Sequence, residues 1–188
     1  MSVADDEPFS EAELIFLADK LIQGTTIVPV ESRYDHKMQL YADNPDALAI
    51  MTLNRHQNRF DLYLANPKST LCKLIIRDDT EQYIKEQAYA NIKFYPEHIV
   101  MMSERDGFNH LYLYTAGGNL VKQITQGKYE VKNFLGWDQK TNTFYYESNE
   151  GSPLRSAIYK VDGKGRKTKL SAQEGTNTAI FSKTQKYY

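Results

Sequence analysis

The sequence predicts an all-β protein: a partial β-propeller of about three four-stranded antiparallel blades, with a short N-terminal helix. Three observations carry this prediction. A strand pattern centred on a tyrosine recurs along the chain, turn-forming residues separate short strand-like segments, and the 188 residues include 14 Tyr and 8 Phe. Tyrosine and β-branched residues favour the half-buried surface of a pleated sheet.

The first segment, residues 1–42, differs from the rest of the chain. Ser10 and Glu13 have the spacing of a capping box, in which each side chain accepts a hydrogen bond from the other residue's backbone N–H. Apolar residues then recur at helical spacing, namely Leu14, Leu17, Ala18, Leu21 and Ile22. Gly24 supplies a stop signal. This pattern predicts a helix over about 11–22 that packs on a sheet, and a partner-binding helix is the alternative.

From residue 47 onward, strand patterns alternate with turn signals. Strands are predicted near 47–53, 59–65, 71–77, 90–95, 98–103, 110–115, 119–125, 130–136, 143–148, 156–161, 167–170 and 177–181. The turns between them include Asn66-Pro67, Asp106-Gly107, Gly117-Gly118-Asn119 and Asp162-Gly163. Glycine and asparagine tolerate the positive φ that tight hairpins require. The segments are therefore expected to pair as antiparallel hairpins.

The strand centres form a repeat. Tyr63, Tyr112 and Tyr159 occupy equivalent positions and lie 49 and 47 residues apart. A period in the high forties with about four strands per unit is typical of propeller blades. One blade cannot bury both of its faces alone, so it stacks on copies of itself. An ordinary antiparallel sandwich with hairpins of similar length is the alternative.

Residues 43–188 supply three such units and the start of a fourth. Because propellers need about four to eight blades, these units do not close a ring. We therefore expect an incomplete propeller domain cut from a longer protein. An open array exposes a blade face and strand edges, which predicts self-association into a homo-oligomer.

Composition excludes several classes of function. The net charge is -1, so no long-range field attracts nucleic acid. Cys72 is the only cysteine, and no intrachain disulfide can form. The sequence contains no apolar run of transmembrane length and no secretory signal at its N-terminus. We expect no nucleic-acid partner and no membrane span.

The sequence also lacks the common catalytic patterns. It has no Gly-x-Ser-x-Gly segment, which positions the nucleophile of α/β-hydrolases. No two of its histidines, His36, His56, His98 and His110, lie three or four residues apart, as helical metal sites require. Its glycine pairs lie in predicted hairpin turns and not before a helix. We expect no catalytic residue, no metal and no cofactor in this chain.

Two loops are more polar than their turns require. They join the second and third strands of successive units and contain Asn54, Arg55, Glu104, Arg105, Asp106 and His110. Equivalent loops of successive blades line one rim of a propeller. These residues are expected either to hydrogen-bond between blades or to contact a ligand or another domain, and the first alternative is favoured.

The same loops carry a family resemblance. The runs Leu53–Asn58, Ser103–Tyr114 and Gln123–Val131, together with the unit from Ser148 to Tyr159, resemble the propeller of dipeptidyl peptidase IV-like serine exopeptidases. The resemblance covers about residues 43–188 and is closest to the bacterial members. It implies an N-terminal propeller that caps an α/β-hydrolase domain of the same chain, with X-Pro or X-Ala dipeptides released from peptides. It also implies a periplasmic or secreted location.

Few functional residues of that family carry over. The glutamate pair that binds the substrate amine lies in an Asp-Trp-x-Tyr-Glu-Glu type of segment, which is absent, as is the Gly-x-Ser-x-Gly segment. The resemblance therefore implies a noncatalytic propeller portion that gates and positions peptide substrates for the hydrolase domain. A free-standing propeller-like module that binds proteins or peptides, without hydrolase activity, is the alternative.

Overall fold

The structure is a computed structural model and describes residues 47–66, 69, 71–172 and 175–181. The helix predicted at 11–22 lies outside these residues. In chain order the elements are β1 (Leu48–Leu53), β2 (Arg59–Ala65), β3 (Cys72–Asp79), α1 (Glu86–Ala90), β4 (Lys93–Phe94), β5 (His98–Ser103), β6 (His110–Thr115), β7 (Leu120–Gln123), β8 (Val131–Asp138), β9 (Thr143–Ser148), β10 (Ala157–Asp162) and β11 (Lys167–Lys169).

These strands form three separate antiparallel sheets. The first sheet has the order β1-β2-β3, the second β4-β5-β6-β7 and the third β8-β9-β10-β11. Within each sheet, every strand pairs with its neighbour in sequence, as hairpins require. Three consecutive meanders confirm the predicted all-β fold and its partial propeller. A sandwich would instead combine the hairpins into two facing sheets, and that alternative is wrong.

The second sheet buries both of its faces. Ile99 and Met101 on β5 belong to a core shared with the first sheet, whereas Val100 and Met102 belong to a core shared with the third. The tyrosines and leucines of β6 alternate in the same way. Successive side chains of a strand point to opposite faces, so one hairpin serves two interfaces. This arrangement is the stacking that the repeat predicts.

A close backbone contact joins the first two sheets near their outer strands. β3 has a bulge at Ile75, which lies between the paired residues Leu74 and Ile76. Gly118, in the turn between β6 and β7, has a φ of +90° and lies directly against the Ile75 carbonyl. A side chain at position 118 would overlap that oxygen. Glycine is therefore required here by both conformation and space.

Two predicted strands differ from the structure. The strand expected at 90–95 is reduced to Lys93–Phe94, because α1 precedes it and Ile84, Ala88 and Ile92 are buried against the first two sheets. No strand forms within 177–181. There, the backbone N–H of Asn177 donates to the Ser156 carbonyl at 2.8 Å, and Phe181 packs on Tyr145 with ring centroids 4.6 Å apart.

The buried tyrosines between the sheets predict that the protein unfolds at alkaline pH. Burial raises the pKa of Tyr95 to about 12 and raises the pKa values of Tyr112, Tyr114, Tyr146 and Tyr159. A folded-state pKa above the unfolded value of about 10 stabilises the fold below that pH, and the contribution is lost as the pH rises further. We expect cooperative unfolding above about pH 10.

The ultraviolet absorbance of tyrosinate, recorded together with circular dichroism, measures this transition. The chain in concentrated urea is the control, in which all tyrosines titrate near their ordinary pKa. In buffer, the tyrosines with raised pKa values are expected to ionise at the pH at which the sheet signal is lost. Full ionisation near pH 10 in a chain that keeps its sheet signal would contradict the burial.

Candidate functional site

One end of the stacked sheets collects the polar loops, and we call it the polar rim. It consists of the hairpin loops 54–58, 104–109 and 149–156 and the connections 80–85 and 124–130. The connections bind to the loops through the backbone. Thr80 N–H donates to Asn58 O at 2.9 Å, and Asn149 N–H donates to Glu130 O at 3.2 Å. The rim is thus a continuous hydrogen-bonded edge.

The first loop of the rim is held by Asn54. Its side-chain oxygen accepts hydrogen bonds from the backbone N–H groups of Asn58 and Arg59, both at 3.0 Å. This closes the turn between β1 and β2. Arg55, next to it, is exposed. Among the described residues Arg55 has no ion-pair partner.

Arg105 joins the second sheet to the first. Its guanidinium donates to Asp78 Oδ1 at 2.8 Å and to Ser103 Oγ at 3.1 Å. The side chain of Asp78 is only 9% exposed, so this carboxylate depends on its partner. The guanidinium also lies over the rings of Tyr112 and Tyr114, at 4.7 and 5.7 Å from their centroids. Cation–π contacts therefore add to the ion pair.

Glu104 takes part in a second cluster, which joins the loop 104–109 to the two connections of the rim. Lys85 Nζ donates to Glu104 Oε1 at 2.6 Å and lies 3.4 Å from Glu130 Oε1. Lys85 comes from the connection between the first two sheets, Glu104 follows β5, and Glu130 precedes β8. The hydrogen bond to Glu104 raises the pKa of Lys85, and the charge of Glu130 adds to this.

The remaining predicted rim residues lie within the second sheet. The carboxylate of Asp106 accepts from Phe108 N–H within its own loop, at 3.4 Å, and from Gln123 Nε2 on β7, at 2.5 Å. His110 is fully buried and is not a surface residue. Its Nε2 lies 3.0 Å from the carbonyl oxygen of Gly127, and its Nδ1 lies 3.0 Å from Thr125 Oγ1. The carbonyl can only accept, so Nε2 is the donor in that hydrogen bond.

Sequence reasoning missed a buried ion pair on the far face of the first sheet. Arg77 donates to both oxygens of Asp61, at 2.8 and 3.2 Å, and Tyr63 donates to Asp61 at 3.3 Å. These hydrogen bonds raise the pKa of Arg77. Asp61 is 5% exposed. Asp61 and Arg77 are directly opposite each other on β2 and β3. Aligning the two predicted strands as a hairpin could therefore have indicated this ion pair.

The rim therefore holds paired charges that fasten one sheet to the next. Glu104, Arg105 and His110 contact residues outside their own sheet, whereas Asn54 and Asp106 do not. Lys85, Asp78 and Glu130, which were not among the six predicted rim residues, complete the pairs. Within the described ranges, no three His, Cys, Asp or Glu side chains come together as a metal site. The described part of the chain also contains no helix suited to crossing a membrane.

Direct comparison with known proteins shows the family of this chain. The model of the dipeptidyl peptidase IV (DPP IV) N-terminal region matches residues 19–188. The chain belongs to this family. The match also includes part of the segment 1–42, which the sequence resemblance did not reach.

Two fungal DPP IV proteins illustrate how much of a relative the chain covers. Dipeptidyl peptidase 4 of Trichophyton rubrum is 29% identical over 150 residues, which are 76% of this chain and 19% of that protein. Probable dipeptidyl peptidase 4 of Aspergillus fumigatus is 26% identical over 125 residues, 63% of this chain and 16% of its own length. The chain thus spans less than a fifth of these relatives.

Solved structures agree with the DPP IV assignment. The crystal structure of Porphyromonas gingivalis dipeptidyl peptidase 4 matches with a TM-score of 0.72 and 44% identity, covering 74% of this chain and 20% of that one. A putative dipeptidyl aminopeptidase IV from Bacteroides ovatus matches with a TM-score of 0.55 and 23% identity, covering 65% of this chain and 20% of its own. The second match supports the fold alone.

Proposed function

We propose that this chain forms the propeller portion of a DPP IV-type serine exopeptidase that gates and positions peptide substrates. The hydrolase domain, with the catalytic Ser, Asp and His, belongs to the same parent polypeptide outside these residues. The observation that carries the proposal is the stack of separate blade-like sheets in a chain of the DPP IV N-terminal family. In a complete propeller, blades of this kind surround a central channel, and the width of that channel limits what passes through it.

The rim geometry supports a wall and not a reaction centre. Asp78, Glu104 and Glu130 each lie next to a cationic partner, and His110 is enclosed in the core. A general base needs a position within reach of its substrate. Among the six residues predicted from the sequence, Arg55, Arg105 and Asp106 are exposed. Arg105 and Asp106 are held by Asp78 and Gln123, so Arg55 is the exposed residue best placed for a contact from another domain or a peptide.

The first test of the proposal uses the 188-residue chain alone. We expect no release of 4-nitroaniline from Gly-Pro-4-nitroanilide above the rate of a blank, because the nucleophile belongs to another domain. The full-length protein is the control and is expected to release the chromophore. Hydrolysis by the purified 188-residue chain would refute the noncatalytic role.

Gating also predicts that the full-length protein selects its substrates by size. We expect cleavage of a flexible decapeptide that begins with X-Pro, and no cleavage of a folded protein that carries the same N-terminal residues. Equal rates for both substrates would contradict gating while leaving the family unchanged. If the full-length protein lacks a Gly-x-Ser-x-Gly segment, the alternative of a free-standing binding module is favoured.

A further inference from the structure

The third sheet has one face that points away from the second sheet, and we call it the outer face. On β9, the side chains of Phe144 and Tyr146 belong to the core shared with the second sheet. Successive side chains of a strand point to opposite faces, so Tyr145 and Glu147 lie on the outer face. There, Tyr145 packs against Phe181. The outer face therefore carries a carboxylate on one of the two central strands of the sheet.

Glu147 is a buried carboxylate without a cation. The residue is 5% exposed, and Asn133 Nδ2 donates to its Oε2 at 3.0 Å. Across the described residues, no other side chain donates to this carboxylate, and no lysine or arginine forms an ion pair with it. The other two buried carboxylates of the described residues, Asp61 and Asp78, each have an arginine at 2.8 Å. Because a buried carboxylate is costly without a charged partner, Glu147 is an exception that requires an explanation.

The repeat shows which position Glu147 occupies. Strands β5 and β9 both have six residues, and Glu147 is the fifth residue of β9 as Met102 is of β5. Their partners also correspond, because Glu147 is paired with Ile158 on β10. Met102 is paired with Leu111 at the same place on β6. Met102 and Leu111 are fully buried between the second and third sheets. The outer face therefore has a carboxylate at a position that, in the second sheet, is covered by another sheet.

Lys160 is a lysine of the same outer face. It is paired with Tyr145 in the register of β9 and β10, which places it diagonally across from Glu147. Diagonal neighbours on a sheet lie about 7–8 Å apart. Lys160 and Glu147 form no ion pair in the structure. Lys160 is therefore a suitable control for any effect of charge on this face.

We propose that the outer face is an interface, and that the sheet which follows in the parent polypeptide presents a lysine or arginine side chain to Glu147. The contact between the first two sheets is the precedent, since the buried Asp78 of one sheet binds Arg105 of the next. A cation at Glu147 would form charge-assisted hydrogen bonds, which are stronger than neutral ones. A purely apolar sheet stacked there would leave the charge unpaired, at a cost in stability. The proposal rests on the proposed function in one respect, that the parent polypeptide continues the array of sheets.

Hydrogen exchange followed by mass spectrometry tests this pair in the full-length protein and in the 188-residue chain. Glu147→Gln keeps the shape of the side chain and an acceptor for Asn133 but removes the charge. In the full-length protein we expect the amides of β9 and β10 to exchange about tenfold faster, because a charge-assisted hydrogen bond is lost. In the 188-residue chain we expect exchange no faster than without the substitution, because the carboxylate has no cation to lose there.

Two further variants complete the comparison. Lys160→Met removes a cation from the same face and is expected to change the exchange of either protein little. Glu147→Met introduces the residue type of the equivalent Met102. It is expected to slow exchange in the 188-residue chain, where an apolar side chain replaces an unpaired charge, and to accelerate it in the full-length protein, where the cation loses its partner. These opposite responses keep the test decisive if Glu147→Gln does not fold.

Faster exchange of Glu147→Gln in the full-length protein alone supports the proposal. Equal acceleration in both proteins would mean that the counter-ion belongs to the 188 residues and would overturn it. Acceleration by Lys160→Met as large as that by Glu147→Gln, or no acceleration in the full-length protein, would also overturn it. Protection of β9 and β10 in the 188-residue chain that rises with protein concentration would make a second copy the occupant of the outer face, against the proposal.

The exchange readout is independent of hydrolysis. Failure of the full-length protein to cleave Gly-Pro-4-nitroanilide would refute the peptidase function and leave the exchange comparison decisive for Glu147. Conversely, equal exchange in the two proteins would refute the pair and leave the peptidase function standing.

Discussion

Replacing Gly118 by alanine is expected to destabilise the fold by about 3 kcal/mol or more. The added Cβ would overlap the carbonyl oxygen of Ile75, so one of the two sheets must shift. The φ of +90° adds a conformational cost for any residue with a side chain. Because the obstacle is backbone in a neighbouring sheet, no side-chain rotation relieves it.

Gly107→Ala is the matched control for this substitution. Gly107 also has a positive φ, +95°, but a Cβ there meets nothing within 4 Å. It therefore loses about 1 kcal/mol from conformation alone. Urea unfolding followed by circular dichroism compares the two variants with the parent sequence. Equal losses for Gly107→Ala and Gly118→Ala would mean that the contact between the first two sheets is not formed in solution.

Replacing Arg105 by methionine is expected to cost about 2 kcal/mol or more of unfolding free energy. The nearly buried carboxylate of Asp78 would lose its 2.8 Å partner, and Tyr112 and Tyr114 would lose the cation above their rings. Breaking a buried pair by removing one partner is costly because the other charge stays desolvated. Methionine keeps much of the apolar stem, so the loss reports the charge.

Arg166→Met tests the same change of residue where the ion pair is exposed. Arg166 pairs with Asp162 at 2.7 Å, but its side chain is 78% exposed. Exposed pairs contribute about 0–1 kcal/mol. Adding Asp78→Asn to Arg105→Met is expected to recover part of the loss, because the unpaired charge is removed. A loss for Arg105→Met no larger than that for Arg166→Met would contradict the interfacial role of Arg105.

The sequence predicted the strands with strong local signals. The spans Leu48–Leu53, Arg59–Ala65, His98–Ser103, His110–Thr115 and Thr143–Ser148 were all expected to within about one residue. Each has alternating or apolar residues and is followed by a turn or polar loop. Since the repeat aligned these hairpins, the stacking of the sheets could also be predicted from their spacing alone.

The missed features depend on contacts between distant residues. Helix α1 has five residues, and the four-residue spacing of Ile84, Ala88 and Ile92 was too short a pattern to separate from a strand. The lysine of the rim cluster could not be predicted, because Lys85 and Glu130 are far apart in sequence and meet only when three sheets stack. The partners of His110 could not be predicted either, because Thr125 and Gly127 lie beyond β7 and meet its ring only in the folded structure.

The two-sided second sheet has a consequence for how a disturbance travels through the protein. Met101 and Met102 are adjacent in the chain but belong to different hydrophobic layers. A substitution at either one therefore disturbs the packing of one layer before it affects the other. The free energy of such an array is close to a sum over neighbouring pairs of sheets. A ligand that weakened one of the two hydrophobic layers would leave the other intact. The sheets on either side of the weakened layer would then move relative to each other before the whole protein unfolded.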